Sequence, residues 1–199
     1  MADLEKTRKN LEGRGFRVHR FASGAEAAEF LVQTLHGTSI GIGGSVTIDT
    51  LGVYDRLCGS NEVLWHWKNH APETRERAGK AETYLCSANG VSENGEIVNI
   101  DGFGNRVAGT IYGPERVFLV VGRNKIAPDL TGAIDRARNI AAPLNARRLN
   151  RHTPCAVGEP RCHDCRSPEK VCGVMTVFFM PPTSIKEFHA ILVDEDLGY

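Results

Sequence analysis

The sequence has neither a net charge nor a long apolar run. Its 199 residues carry 24 Lys and Arg against 24 Asp and Glu, so no overall field attracts nucleic acid. The longest apolar runs, residues 117–121 and 174–180, are far too short to span a bilayer. The N-terminal segment is charged from its third residue onward and lacks the apolar stretch of a secretory signal. We therefore expect a cytoplasmic protein with no nucleic-acid partner and no membrane span.

Internal repeats, low-complexity tracts and an obvious linker are also missing. The fractions of hydrophobic (41%) and charged (24%) residues are ordinary for a globular protein. A chain of this length buries enough surface to be stable without staples. We expect one α/β domain over residues 1–199, with a cysteine-rich loop at residues 153–173.

The N-terminal third alternates between helix and strand patterns. Residues 2–13 are helix-like, residues 16–21 alternate as a half-buried strand does, and Ser23 can cap the helix that follows. A short buried strand at residues 38–42 enters a glycine turn, and a third helix is expected from there to about Leu57. This order predicts a parallel sheet with crossover helices.

Strand and turn signals dominate the remainder of the chain. A strand at residues 82–87 precedes a β-hairpin over 91–98, whose Asn94-Gly95 pair favours a type I′ turn. A helix ending near Tyr112 and a central strand at 115–121 follow. Asp129 can cap a long helix that Pro143 should kink, and two apolar strands, near 174–179 and 188–193, close the chain.

The first candidate site is the turn that contains Gly43, Gly44 and Ser45. A glycine turn between a strand and a helix offers free backbone N–H groups to an anion, and Ser45 and Thr47 would add hydroxyls. The turn has no dinucleotide fingerprint, because Val46 stands where the third glycine belongs, so no NAD site is expected. The alternative is a tight turn at which the helix crosses closely over the sheet.

Two further polar turns have the same character. One contains Asp101, Gly102, Asn105 and Arg106, and the other contains Asn124 and Lys125 directly after the predicted central strand. In parallel α/β sheets ligands collect at the carboxyl ends of the strands, where these turns and the glycine turn should meet. The three turns together predict a receptor for a small anionic metabolite, although turn formation and helix capping alone also explain the residues of the second turn.

Four of the six cysteines lie in residues 153–173 with the spacing C-x6-C-x2-C-x6-C. Cys162 and Cys165 have the right separation for two ligands of one tetrahedral metal, and Cys155 and Cys172 would complete the set. Zinc and a [4Fe–4S] cluster both accept four thiolates, and the spacing does not separate them. A redox pair, a disulfide or an unligated loop are the alternatives.

The run SANGVSENGEIVNIDGFGNRVAGTIYGPERVFLVVGRNKIAPDLTGAIDRARNIAAPLNARRL resembles the lactate-utilization (LUD) domain family. GIGGSVTIDTLG resembles the glycine turn of that family, and PCAVGEPRCHDCRSPEKVC resembles the cysteine tail of one of its branches. The resemblance implies a Rossmann-like, mostly parallel sheet flanked by helices, related to ribose-5-phosphate isomerases and CoA-transferases. It also implies a role in organic-acid utilization alongside iron–sulfur oxidoreductase subunits, and it adds Asn89 to the expected pocket.

Ser92-Glu93-Asn94-Gly95 is similar to a CoA-transferase motif whose glutamate attacks an acyl thioester. The resemblance offers Glu93 as a catalytic nucleophile for acyl transfer, although a hairpin explains the Asn-Gly pair equally well. Two classes of function therefore stay open at this point. One is the binding or conversion of a small anion, and the other is a redox or assembly role of the cysteine loop.

Overall fold

The computed structural model describes residues 2–199 and contains two β-sheets. All strand pairs of the six-stranded sheet are parallel. Its strands in spatial order are β1 (Arg17–Phe21), β10 (Glu187–Val193), β7 (Arg116–Gly122), β4 (Thr83–Cys86), β2 (Ser39–Ile42) and β3 (Glu62–Trp65). The prediction of a mostly parallel sheet is confirmed.

The second sheet has four short strands. They are, in spatial order, β8 (Ile126–Ala127), β5 (Gly90–Ser92), β6 (Ile97–Asp101) and β9 (Val174–Phe178). The strands β5 and β6 form the predicted hairpin, and β9 adds to it in antiparallel orientation. The sequence patterns indicated the strand at residues 174–179 but not this sheet.

Nine α-helices connect and cover the strands of residues 2–199. They are α1 (Leu4–Gly13), α2 (Gly24–Thr34), α3 (Val46–Leu51), α4 (Tyr54–Cys58), α5 (Thr74–Gly79), α6 (Asn105–Ile111), α7 (Leu130–Arg136), α8 (Ala142–Arg148) and α9 (Pro154–Val157). A 3₁₀ turn at Arg123–Lys125 follows β7. None of the helices in this range is long and apolar enough to cross a membrane.

Both faces of the parallel sheet are covered, because the side chains of β7 alternate between two cores. Val117, Leu119 and Val121 pack with α1 and the second sheet, whereas Phe118 and Val120 pack with α2, α3 and α4. This burial on both faces explains why β7 is an unbroken apolar run in the sequence. The helices cover the faces of the parallel sheet and not the edge at which the carboxyl ends of its strands lie.

Two local predictions need correction, and the structure adds detail to a third. The third helix is two helices, because Gly52 ends α3 in the left-handed conformation with φ of 63°. The hairpin turn is not type I′, since only Gly95 (φ 92°) has positive φ in it. Ahead of Pro143 the long helix contains a π-helical turn, Ala137–Ala141, that joins α7 to α8, and the N–H of Ala142 donates to Ala137. Such single π turns occur as bulges inside otherwise α-helical segments.

Candidate functional site

A cleft lies at the carboxyl ends of the central strands. Gly44 and Ser45 reach it from the end of β2, Ser87 from the end of β4, and Lys125 from the turn after β7. Its wide outer part has a volume of about 370 Å³ and its narrow inner part about 30 Å³. Both parts share Gly44 and Arg106, so they form one continuous site. The structure thus brings residues of all three predicted turns together.

Cationic side chains outnumber carboxylates along the cleft. The basic residues are Arg75, Arg106, Lys125, Arg148, Arg151 and Lys170, and the acidic residues are Asp101 and Glu169. Among residues 2–199, Arg75, Arg148 and Arg151 form no ion pair with any carboxylate. The carboxylate of Glu169 accepts the backbone N–H of His152 at 2.7 Å. An uncompensated positive charge of this kind favours anionic ligands.

The glycine turn allows two cleft side chains to approach the backbone. A Cβ on Gly43 would lie 2.8 Å from Cγ of Arg106 and 2.9 Å from the Tyr84 hydroxyl. A Cβ on Gly44 would lie 3.2 Å from Nε1 of Trp67. The Ser45 hydroxyl accepts the N–H of Ile48 as the cap of α3. The glycine turn therefore lets Arg106 and Trp67 approach the backbone closely, whereas the hydroxyl of Ser45 is already used as a helix cap.

Asp101 and Arg106 are held together at the start of α6. The Asp101 carboxylate accepts the backbone N–H of Arg106 at 2.8 Å, and its other oxygen lies 4.0 Å from Nε of the same residue. The guanidinium also donates to the carbonyl oxygen of Ile100 at 2.6 Å. Asn105 and Gly102 line the outer cleft beside them. Arg106 is thus fixed in place before any ligand arrives.

Lys125 lies at the inner end of the cleft and is 3% exposed. Its Nζ lies 2.8 Å from the hydroxyl of Thr47 and 2.8 Å from that of Ser87. Burial, followed by the charges of Arg136 and Arg106, lowers the pKa of Lys125 from its usual 10.5 to about 7. A buried lysine with a lowered pKa in a cleft marks a candidate for chemistry.

Asn89 and Arg136 support this inner end from behind. The side-chain oxygen of Asn89 accepts the N–H of Ile100 at 2.9 Å, and the backbone carbonyl of Asn89 accepts a hydrogen bond from Nη1 of Arg136 at 2.6 Å. Nε of Arg136 donates to the carbonyl of Asn124 at 2.7 Å. Burial lowers the pKa of Arg136 to about 10. The two carbonyl bonds tie the turn after β4 to the turn after β7.

Three predicted residues lie outside the lining of the cleft. Gly43 is behind it, and the side chain of Asn124 instead holds the chain near Leu197 and Gly198. The carboxylate of Glu93 accepts the N–H of Asp3 at 3.0 Å and forms an ion pair with Lys6 at 3.2 Å. The structure therefore does not bring Glu93 together with the cleft residues.

Aromatic and basic residues that the sequence patterns did not assign to the site complete the cleft. Trp67 and His66 follow β3, Phe103 precedes α6, and Arg148 ends α8. The guanidinium of Arg148 lies 4.6 Å from the ring centre of Trp67. Burial and the charge of Arg75 lower the pKa of His66 to about 4, so this imidazole is neutral. In the sequence, Arg147-Arg148 and Arg151 look like a solvated surface cluster.

The cysteine loop forms one wall of the cleft. Lys170 and Val171 line it just before Cys172, and a Cβ on Gly102 would lie 2.7 Å from Cα of Val171. Nη2 of Arg138 lies 3.3 Å from Sγ of Cys162. The cysteine loop therefore packs against the second sheet and against the π-helical turn between α7 and α8.

The four cysteines of the loop are free thiols. Within residues 2–199, no group of three or more Cys, His, Asp or Glu side chains is arranged to hold an ion. The other three thiols do affect the titration of Cys172. Burial raises the pKa of Cys172, and the charges of Cys162, Cys155 and Cys165 raise it further, whereas Lys170 lowers it.

The LUD domain model matches residues 4–193, nearly the whole chain. The chain belongs to the LUD domain family. This family is associated with lactate utilization, and the resemblance found in the sequence is confirmed at that level. Similarity in structure extends to a DUF162-family protein from Deinococcus radiodurans, with a TM-score of 0.55 and 14% identity over 96% of this chain and 95% of that chain. At this identity the likeness supports the fold alone. No curated protein matches this LUD domain at a significant level.

Proposed function

We propose that this LUD-domain protein binds a small carboxylate metabolite of the lactate type in the cleft and serves organic-acid utilization. The observation that carries the proposal is the group of three cleft arginines, Arg75, Arg148 and Arg151, without an ion-pair partner among residues 2–199. A guanidinium is a strong and specific donor to a carboxylate. The family association with lactate utilization supports a carboxylate over other anions.

The size and the polarity of the cleft agree with a small ligand. A volume of about 370 Å³ lies at the lower end of the range for metabolite sites. Arg106 is half-buried and held by Asp101, so it can receive a charged group with little loss of side-chain freedom. Trp67 and Phe103 supply apolar surface beside these cations. The ligand we expect therefore has a carboxylate and a short carbon chain.

Binding can be tested by thermal unfolding and calorimetry with L-lactate, pyruvate, oxalate and inorganic phosphate. We expect at least one carboxylate to raise the Tm, because a ligand that binds only the folded state stabilises it. The change Arg148→Gln should weaken this binding by about tenfold or more, as expected for the loss of a charged hydrogen bond. Added salt should weaken it as well.

A matched control is Arg56→Gln. Arg56 is a surface arginine that pairs with Glu29 at 2.6 Å and does not line the cleft, so its loss should leave binding unchanged. If no anion stabilises the wild type, or if both variants bind equally well, the proposal is wrong.

Acyl transfer by Glu93 receives less support from the geometry. Its carboxylate is engaged by Lys6 and by the N–H of Asp3, and it is not a lining residue of the cleft. A nucleophile must lie within reach of the bound substrate. We therefore favour binding at the cleft over transfer through Glu93, which stays a prediction of the sequence.

The cysteine loop supports a second proposal, a metal or iron–sulfur site that docks a redox partner. The observations in its favour are the contact between Arg138 and Cys162 and the raised pKa of Cys172, to which the other three thiols contribute. Metal and iron analysis of protein purified without oxygen tests this proposal. A stoichiometric metal that is lost in Cys162→Ser would support it, and metal-free protein of normal stability would contradict it.

A further inference from the structure

The hydrogen bonds around Lys125 specify which group donates and which accepts. The Thr47 hydroxyl donates its hydrogen to the carbonyl of Leu197 at 3.3 Å, and the Ser87 hydroxyl donates to the carbonyl of Ala88 at 3.3 Å. A hydroxyl has only one hydrogen to donate. Both hydroxyls must therefore accept hydrogen bonds from Nζ of Lys125, at 2.8 Å each.

This arrangement satisfies a neutral amine rather than an ammonium group. A neutral amine has two N–H groups, which the two hydroxyls accept, and one lone pair that remains free. An ammonium group has a third N–H, for which residues 2–199 provide no acceptor, and no carboxylate pairs with Lys125. An unpaired buried charge is costly, and the nearby guanidiniums of Arg106 and Arg136 add repulsion.

The amine is also accessible from the cleft. Lys125 lines the inner part, whose volume of about 30 Å³ suits a single small group, and Arg106 and Arg148 line both the inner and the outer part. A ligand whose carboxylate contacts these arginines would place the adjoining carbon atom toward the inner end. A neutral lysine amine in such a position is a nucleophile for a carbonyl carbon.

We propose that Lys125 forms an imine with the ketone of a 2-oxo acid whose carboxylate is held by Arg148 and Arg106. This inference rests on the proposed function and names its substrate class. The lone pair of Nζ attacks the carbonyl carbon, and the π electrons of the C=O bond move to its oxygen. One proton moves from nitrogen to oxygen, which gives a carbinolamine, and this loses water to leave the C=N bond. Hydrolysis reverses the sequence, and no oxidant or reductant is required.

The imine can be trapped by borohydride reduction in the presence of pyruvate. We expect the intact mass to increase by one reduced pyruvyl group, and peptide mapping should locate it on Lys125. Lys125→Arg should abolish the labelling. Lys80→Arg, which changes an exposed lysine paired with Glu76, should not affect it. Labelling that is spread over several lysines, or confined to another one, would overturn the inference.

Oxalate separates this inference from the proposed function, because it has carboxylates but no ketone. In the wild type, excess oxalate should suppress the labelling by pyruvate, and this readout does not depend on the folding of a variant. If oxalate binds with the Arg148 dependence described above but pyruvate gives no adduct, the imine is wrong and the binding proposal stands. If neither acid binds, the proposed function fails as well.

Discussion

The carboxylate of Asp101 accepts the backbone N–H of Arg106 at 2.8 Å and lies 4.0 Å from the guanidinium of that residue. One side chain thus performs two tasks, since it accepts a backbone N–H in the first turn of α6 and places a negative charge beside a cation of the cleft. An asparagine in this position could still accept the N–H but would carry no charge. The two roles can therefore be separated by experiment.

For Asp101→Asn we predict tighter binding of carboxylates, by several-fold, and a change in stability of no more than about 1 kcal/mol. Calorimetric titration with oxalate and thermal unfolding measure the two quantities. Asp129→Asn is the matched control, because Asp129 caps α7 with the same kind of bond but does not line the cleft. Weaker binding in Asp101→Asn would mean that the carboxylate helps the ligand rather than competing with it.

Gly43→Ala should damage both the fold and the cleft. The added methyl group would lie 2.8 Å from Cγ of Arg106 and 2.9 Å from the hydroxyl of Tyr84, and Tyr84 is fully buried. We expect a loss of about 1–3 kcal/mol in the free energy of unfolding, as for other overpacked sites. Weaker anion binding should accompany this loss because Arg106 must move.

The control for this substitution is Gly13→Ala. A Cβ on Gly13 would have no heavy atom within 4 Å, and its φ is not positive, so the variant should stay within about 1 kcal/mol of the wild type. Equal stability of both alanine variants would show that the turn can rearrange at no cost.

The strand-end part of the site could be predicted from the sequence. Ser45 and Lys125 follow short apolar runs, and the carboxyl ends of parallel strands must share one edge of the sheet. Helical periodicity likewise predicted α1 and α2, and Ser23 caps α2 as expected. These inferences succeed because each depends on local patterns and on one general rule of topology.

The outer wall could not be predicted in the same way. Arg75, Trp67 and Arg148 belong to different elements, and only the packing of those elements brings them to one cleft. The second sheet was missed for the same reason, since β6 and β9 are joined through residues 102–173 and nothing local indicates that they pair. For Glu93 a short motif suggested catalysis, but the side chain contacts Asp3 and Lys6 at the start of α1 and not the cleft.

Acid should destabilise the protein through a pair of histidines, the half-buried His19 and the buried His189. Nε2 of His19 lies 2.9 Å from Nδ1 of His189, which stacks on Phe118 and is 6% exposed. Burial lowers the pKa of both histidines, to about 4 for His189. Because the folded-state pKa lies below the unfolded value of 6.5, this stability is complete above pH 6.5 and declines toward pH 4.

Denaturant unfolding between pH 4 and pH 7.5 measures this decline. We expect His189→Leu to have a shallower pH dependence than the wild type, whatever its absolute stability. His36→Gln removes an exposed histidine and should retain the slope of the wild type. A slope that His189→Leu leaves unchanged would assign the acid sensitivity to other groups.

Lys125 should make the free energy of unfolding increase as the pH rises above 7. Its pKa is about 7 in the folded protein and 10.5 as its ordinary value, so between these limits the unfolded chain binds one proton more than the folded one. The free energy of unfolding must then rise with pH, by up to about 1.4 kcal/mol per pH unit from this group. The difference in the free energy of unfolding between wild type and Lys125→Met isolates this contribution, because the other titrating groups are common to both proteins. We expect that difference to increase from pH 7 to pH 10 in urea unfolding.

A bound carboxylate should reduce the increase, because a negative charge near Nζ raises the pKa of the amine. A difference that does not vary with pH would show that Lys125 is an ordinary ammonium group and would remove the basis for imine formation.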